Sequence, residues 1–205
     1  MIKIEDFSLL SEEITLFNVE NLTLEDGQHL ILSGNNNSGK SLFLKVLHGN
    51  YSNFTGSIEI NEKPLKFYRK RKISILIDHN THLFLEKSVM KNILLPISRK
   101  KSDLNDKIME LFTIAELGEI YKIKIGLLSL STQKIIELIR AVVQNPHLIM
   151  FDGLDRYFDS ENTKIVEKIL KTTVENGTIF IGTAKSKIDT FQQNFSIIDK
   201  KVISI

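Results

Sequence analysis

One octapeptide limits the folds open to this chain more than any other feature: Gly34-Asn35-Asn36-Asn37-Ser38-Gly39-Lys40-Ser41. It satisfies G-x-x-x-x-G-K-[ST] at every fixed position, a pattern whose backbone N–H groups cradle phosphate oxygens. Its surroundings fit the same use. The apolar run Leu30–Ser33 reads as a strand entering the loop, and Ser41–Leu47 reads as a helix leaving it. Glycine at 34 and 39 lets the backbone curl inward, and the helix N-terminus adds partial positive charge. The predicted nucleotide-binding residues are therefore Gly34, Asn35, Asn36, Asn37, Ser38, Gly39, Lys40 and Ser41, with Leu42 in the first helical turn. Lys40 is expected to reach the terminal phosphates and the Ser41 hydroxyl to hold Mg²⁺.

A second acidic element supports this reading. Leu148-Ile149-Met150-Phe151-Asp152 is a buried-strand pattern ending in a carboxylate. In an open α/β sheet such an end lies at the ligand-binding edge. Asp152 is thus a candidate catalytic and metal-orienting residue alongside Lys40 and Ser41.

The remaining pattern predicts an α/β fold with a mostly parallel sheet, an N-terminal antiparallel β part and a small helical subdomain. Strand-like runs lie at Ile2–Phe7, Ile14–Val19, Leu30–Ser33 and Ile58–Ile60, then at Ile73–Ile77, Leu148–Phe151, Thr178–Thr183 and Ser196–Ile205. The early ones are separated by turns at Glu25-Asp26-Gly27 and Asn61-Glu62-Lys63-Pro64, and the later ones alternate with helical patterns. In Thr132–Val143, Ile135, Leu138, Ile139 and Val142 share one helical face, and Pro146 stops that helix. Ser160–Glu175 is a second helix, closed by Asn176-Gly177. Short helical pieces between 98 and 128 suggest an insertion, so residues 1–205 read as one domain with a helical subdomain over about 88–145.

Bulk properties exclude several classes. A net charge of +2 is too mild to argue for a nucleic-acid partner. With no cysteine, disulfides and thiolate metal sites are ruled out. No apolar run approaches the roughly 18–20 residues of a membrane helix, and acidic residues occupy the N-terminal stretch where a signal peptide has its apolar core. The basic clusters Arg69–Lys72 and Arg99–Lys101 read either as solvated loops or as a patch for anionic lipid headgroups.

The whole chain resembles the ATP-binding subunit of ATP-binding cassette (ABC) transporters. Besides the two elements above, the resemblance rests on Leu47-His48-Gly49, on Thr55-Gly56-Ser57-Ile58, on Arg140-Ala141 and on Asn145-Pro146 before the acidic strand. Asp159 stands at the family spacing for the D-loop aspartate. The resemblance implies a P-loop NTPase fold of ABC type that binds ATP with Mg²⁺. It also implies a head-to-tail homo- or heterodimer of cassettes, a membrane-spanning permease-type partner, and a cytoplasmic location at the inner membrane face through that partner.

Several positions depart from the family pattern. Where the family has Leu-Ser-Gly-Gly-Gln, this chain has Leu128-Ser129-Leu130-Ser131-Thr132, leaving Ser129 and Ser131 as signature-like residues for the partner's phosphate. Gly153 replaces the usual glutamate that polarises water, with Asp155 a potential substitute, and Ala184 stands at the switch histidine. Asp78 or His79 occupies the Q-loop glutamine position. Ser11 falls where an aromatic would stack on adenine, with Phe7 and Phe17 as possible replacements. These changes imply a cassette that binds ATP and either hydrolyses it or serves as a hydrolysis-deficient regulatory subunit in a heterodimer. A GTPase is disfavoured because Asn-Lys-x-Asp is missing. A P-loop kinase is disfavoured because Arg69, Arg71, Arg99, Arg140 and Arg156 form no lid cluster.

Overall fold

The computed structural model describes residues 1–68, 73–97, 102–191 and 193–204; both basic clusters, Arg69–Lys72 and Arg99–Lys101, lie outside the described residues. Ten strands form one sheet in the order β5-β4-β1-β2-β10-β9-β3-β8-β7-β6. The strands are β1 (Ile2–Ser11), β2 (Ile14–Leu24), β3 (His29–Ser33), β4 (Phe54–Ile60), β5 (Lys63–Pro64), β6 (Ser74–Ile77), β7 (Leu148–Phe151), β8 (Ile179–Ala184), β9 (Gln193–Ile198) and β10 (Lys201–Ser204). Strands β1, β2, β4 and β5 pair antiparallel, whereas β9, β3, β8, β7 and β6 are parallel. The expected mixed architecture is therefore present. The helices are α1 (Lys40–Leu47), α2 (Val89–Leu94), α3 (Ser102–Ile114), α4 (Leu130–Gln144) and α5 (Ser160–Lys171).

Alternation along the strands divides the apolar residues between two cores. Ile31, Ile149, Phe151 and Phe180 pack under α2–α5. Leu30, Leu32, Leu148, Met150, Ile179 and Ile181 face α1 and the antiparallel strands. In that second core Phe43 of α1 meets Phe7 and Phe17 edge-on, with ring centroids 5.5 and 5.7 Å away. Fully burying rings of this size contributes about 1.5–3 kcal/mol each.

Three expectations need correction. The run Ser196–Ile205 is not one strand. Asp199 and Lys200 both take positive φ (47° and 60°), so the chain turns back as a two-residue hairpin between β9 and β10. Lys63-Pro64, read as turn, forms a short strand on β4, because Asn61-Glu62 alone makes the reversal. The helix from Ser160 ends at Lys171 rather than Glu175, its cap amide bonding to Ile169 and Leu170 carbonyls.

The two parts of the sheet meet at a narrow seam. Among the described residues, strand β10 pairs with β2 only at Lys201↔Asn18, reinforced by Asn18 N donating to the Lys200 carbonyl at 2.8 Å.

Candidate nucleotide site

The parallel register aligns the carboxyl ends of three strands. Ser33 of β3 lies opposite Ala184 of β8, and Phe151 of β7 lies opposite Gly182. The loops after these strands, starting at Gly34, Asp152 and Lys185, therefore emerge at one edge. Gly34 N donates to the Lys185 carbonyl at 3.3 Å, tying the first loop to the third.

The loop from Gly34 to α1 is shaped by left-handed residues, with Asn37 at φ 64° and Gly39 at φ 98°. Gly39 also lies where no side chain fits: a Cβ there would stand 2.9 Å from Leu9 Cδ2 and 3.1 Å from Leu16 Cδ1. It is the N-cap of α1 and supplies no side-chain cap. The first-turn amides are thus left for a ligand, as suits an anion site. Lys40 folds over the loop, and its Nζ donates to the carbonyls of Gly34 (2.6 Å) and Asn35 (2.7 Å) and to Ser38 Oγ (3.3 Å). Partial burial lowers the Lys40 pKa, opposed by Asp152 and Asp155.

Opposite the loop, Asp152 is buried, and Thr183 Oγ1 donates to its Oδ1 at 2.8 Å. Gly153 N in turn donates to Thr183 Oγ1 at 2.8 Å, so β8 fixes the carboxylate. The other carboxylate oxygen, Oδ2, makes no hydrogen bond to any described residue. Gly153 has φ 76° and opens a 3-10 turn, Leu154–Arg156. Phe151 packs against Tyr157 and Phe158 at ring distances of 6.1 and 5.3 Å, anchoring that turn from below. Asp155 Oδ2 accepts from Lys185 N at 2.9 Å.

Together these loops enclose a cleft of about 820 Å³, within the usual range for a small-molecule site. Asn36, Asn37, Ser38, Gly39, Lys40, Ser41, Leu42 and Asp152 line it, with Ser11 and Leu16 at its β1–β2 end. The Ser41 hydroxyl makes no hydrogen bond to any described residue.

The ABC transporter family model matches residues 17–154. This chain belongs to the ABC transporter family. It is an ATP-binding cassette of that family. The lipoprotein-releasing system ATP-binding protein LolD of Treponema denticola is 26% identical over 180 residues, 82% of this chain and 79% of LolD. The arginine transport ATP-binding protein ArtM of Bacillus subtilis is 25% identical over 190 residues, 88% of this chain and 79% of ArtM. In fold, cbiO1 of Clostridium perfringens, part of the ABC transporter complex cbiONQ, matches with TM-score 0.83 at 17% identity, over 98% of this chain and 86% of cbiO1. The dimeric cassette MJ0796 matches with TM-score 0.77 at 22% identity, over 98% of this chain and 96% of its own.

Other predicted residues of the cassette lie away from this cleft. Ser129 caps α4, its Oγ accepting from Thr132 N at 3.2 Å, and it stands beside exposed Leu130 and half-buried Ser131. None of the three lines the cleft. Asp159 caps α5, accepting from Asn162 N at 2.8 Å. Asp78 accepts from Asn80 N at 2.9 Å in a turn, and neither Asp78 nor His79 lines the cleft. Phe7 and Phe17 are fully buried in the core, so neither offers a face to a base. Thr183, Arg156 and Lys185 line the cleft without having been singled out from sequence. For Thr183 the usable signal was a polar residue closing an apolar strand next to the Asp152 strand.

Proposed function

We infer that this cassette binds ATP with Mg²⁺ through Gly34–Leu42, Lys40, Ser41 and Asp152, and hydrolyses it slowly if at all. A free Ser41 hydroxyl and one open Asp152 oxygen suit a magnesium ion that takes its other ligands from phosphate and water. Among the described residues no cluster of three or more His, Asp or Glu could hold a metal without such help. When bound, the ion would neutralise charge on the terminal phosphates.

The observation behind slow turnover is the left-handed glycine after Asp152. Gly153 has no carboxylate, and the nearest alternative, Asp155, has one oxygen committed to the Lys185 amide. Ala184 offers no imidazole. A missing general base removes about 10²–10⁴-fold in rate. Residues 1–205 form the nucleotide-binding unit in this reading, with about 88–145 as its helical subdomain. Ser129 and Ser131 at the start of α4 would face the nucleotide of a second cassette, which supplies the groups lacking here. Leu130 and Ser131, in place of glycines, add side chains where backbone would have to approach closely. No helix among the described residues can cross a membrane, so coupling to a bilayer runs through a permease-type partner at the cytoplasmic face.

A single-turnover assay with labelled ATP tests this. Binding without measurable cleavage supports it. Hydrolysis near 1 s⁻¹, ordinary for an enzyme, would return the chain to a working ATPase.

A further inference from the structure

The wall of the cleft opposite the phosphate loop bears more positive charge than the phosphate-loop reading uses. Arg156 and Lys185 both line it, together with Lys40, against the two carboxylates Asp152 and Asp155. Both of those carboxylates are partly engaged already, by Thr183 Oγ1 and by the Lys185 amide. The Arg156 guanidinium and the Lys185 ammonium have no hydrogen bond or ion pair with any described residue.

A tight turn brings the exposed arginine to the wall of the cleft. Arg156 N donates to the Gly153 carbonyl at 3.1 Å, closing a tight turn, and the stem of Arg156 folds back across Gly153. A Cβ on residue 153 would lie 2.9 Å from Arg156 Cδ and 3.0 Å from Nε. The space beside Asp152 left by a residue without a side chain is thus taken by an arginine. Its charge is felt at Lys40, where it contributes to the lowered pKa.

The cleft has a direction. Its β1–β2 end, at Ser11 and Leu16, adjoins the start of α1, where a Cβ on Gly39 would stand 3.1 Å from Leu16 Cδ1. The wall of Asp152–Arg156 and Thr183–Lys185 stands at the other side of the loop, where Gly34 N donates to the Lys185 carbonyl and the charges of Asp152, Asp155 and Arg156 act on Lys40. A nucleotide whose phosphates lie on the loop therefore points its terminal phosphate at this wall. We propose that Arg156 is a specificity-determining residue that binds the terminal phosphate in cis, so that the cassette holds ATP in preference to ADP. The proposal rests on the reading that this cleft takes ATP. Arginine suits the role because its planar fork matches phosphate oxygens and stays charged at all relevant pH. Positive charge can stabilise a transferring phosphoryl group, but without a base to activate water the same contact retains the triphosphate.

Titration calorimetry with Mg²⁺ and either ADP or a non-hydrolysable ATP analogue tests it, using the full chain and its Arg156→Gln, Arg156→Lys and Lys40→Ala variants. The expected result is that Arg156→Gln weakens the triphosphate at least tenfold and ADP by less than twofold, while Arg156→Lys retains most of the preference. Equal losses for the two nucleotides, or no loss, overturn the role of Arg156. Failure of the underlying reading looks different: Lys40→Ala then binds both nucleotides as the parent does, or the parent binds neither. Arg156 is exposed, so the melting temperature of Arg156→Gln without nucleotide should match the parent and verify that it folds.

Discussion

Two lysines in this cassette each hold a loop by its carbonyls, yet their surroundings are opposite. Lys134, on α4, is almost fully buried and donates to the carbonyls of Asp78 (2.7 Å) and Asn80 (2.8 Å) and to Glu137 Oε2 (2.7 Å). Glu137 completes the cage by accepting from His82 N at 2.6 Å, and the Tyr157 ring lies 5.3 Å from the ammonium. Lys40 also grips two carbonyls but has no carboxylate in contact, and its cleft opens to solvent. A buried ammonium with an anion beside it is a fixture, whereas one that leans on dipoles alone can be drawn to an arriving phosphate. His29 extends the series. Its Nε2 is buried with no partner, and burial pushes its pKa down to about 4. Burial alone thus does not mark a functional base: His29 holds a buried ring nitrogen without lining the cleft, whereas Lys40 lines it.

The largest expected effect comes from breaking the fixture. Lys134→Met or Glu137→Leu alone leaves an unpaired buried charge and should cost about 3–5 kcal/mol. That corresponds to a melting point roughly 6–20 °C lower. The double variant should regain part of the loss, since the carbonyls of Asp78 and Asn80 stay unpaired. Single variants melting with the parent would make the pair dispensable. Next comes pH. His29 binds a proton in the unfolded chain at about 6.5 and in the folded chain only near 4. Its stabilising contribution is therefore complete above pH 6.5 and is lost as pH falls towards 4, by about 3 kcal/mol at most. His48 and His147, also depressed by burial, add to the slope in the same direction. Denaturant titrations of His29→Phe should show a flatter dependence in that window, and an unchanged slope would assign the effect elsewhere. For the poised lysine, Lys40→Ala should weaken ATP binding at least a hundredfold, about 2.7 kcal/mol, while melting without ligand hardly moves. Unchanged affinity would collapse the contrast between the two lysines. The smallest effect is expected at Gly153. Glutamate there must adopt φ near 76°, a strain of about 1–2 kcal/mol, and must displace Arg156. Gly153→Glu should accordingly stay slow in single-turnover hydrolysis, and turnover near 1 s⁻¹ would show the backbone to be adaptable.

What was legible from sequence was local. The phosphate loop, its flanking strand and helix, and the strand ending in Asp152 are each encoded within a dozen residues. The hairpin Gln193–Ser204 was not, because Asp199-Lys200 lacks the glycine that announces a two-residue turn. Helix α4 was read as having one apolar face, yet residues 133–139 are buried all round it, including Gln133, Lys134 and Glu137. A Lys and a Glu three residues apart look like a surface pair; only the carbonyls of residues 78 and 80, far away in sequence, make the interior position tenable. Arg156 was invisible for a related reason, since its direction depends on the left-handed turn at Gly153 and on the aromatic packing beneath it.

The single pairing between β10 and β2 has a mechanical corollary. Beyond that rung the antiparallel strands meet the rest of the molecule through apolar packing, the ring contacts Phe7–Phe43 and Phe17–Phe43 included, and such packing lacks the directionality of a ladder. A small pivot of that outer layer would strain one backbone rung among the described residues. Leu16 on the layer and Lys40 on the loop border the same cleft, so a ligand wedged between them would act as a strut. Its arrival would then register as slower amide exchange at Asn18, well away from any phosphate.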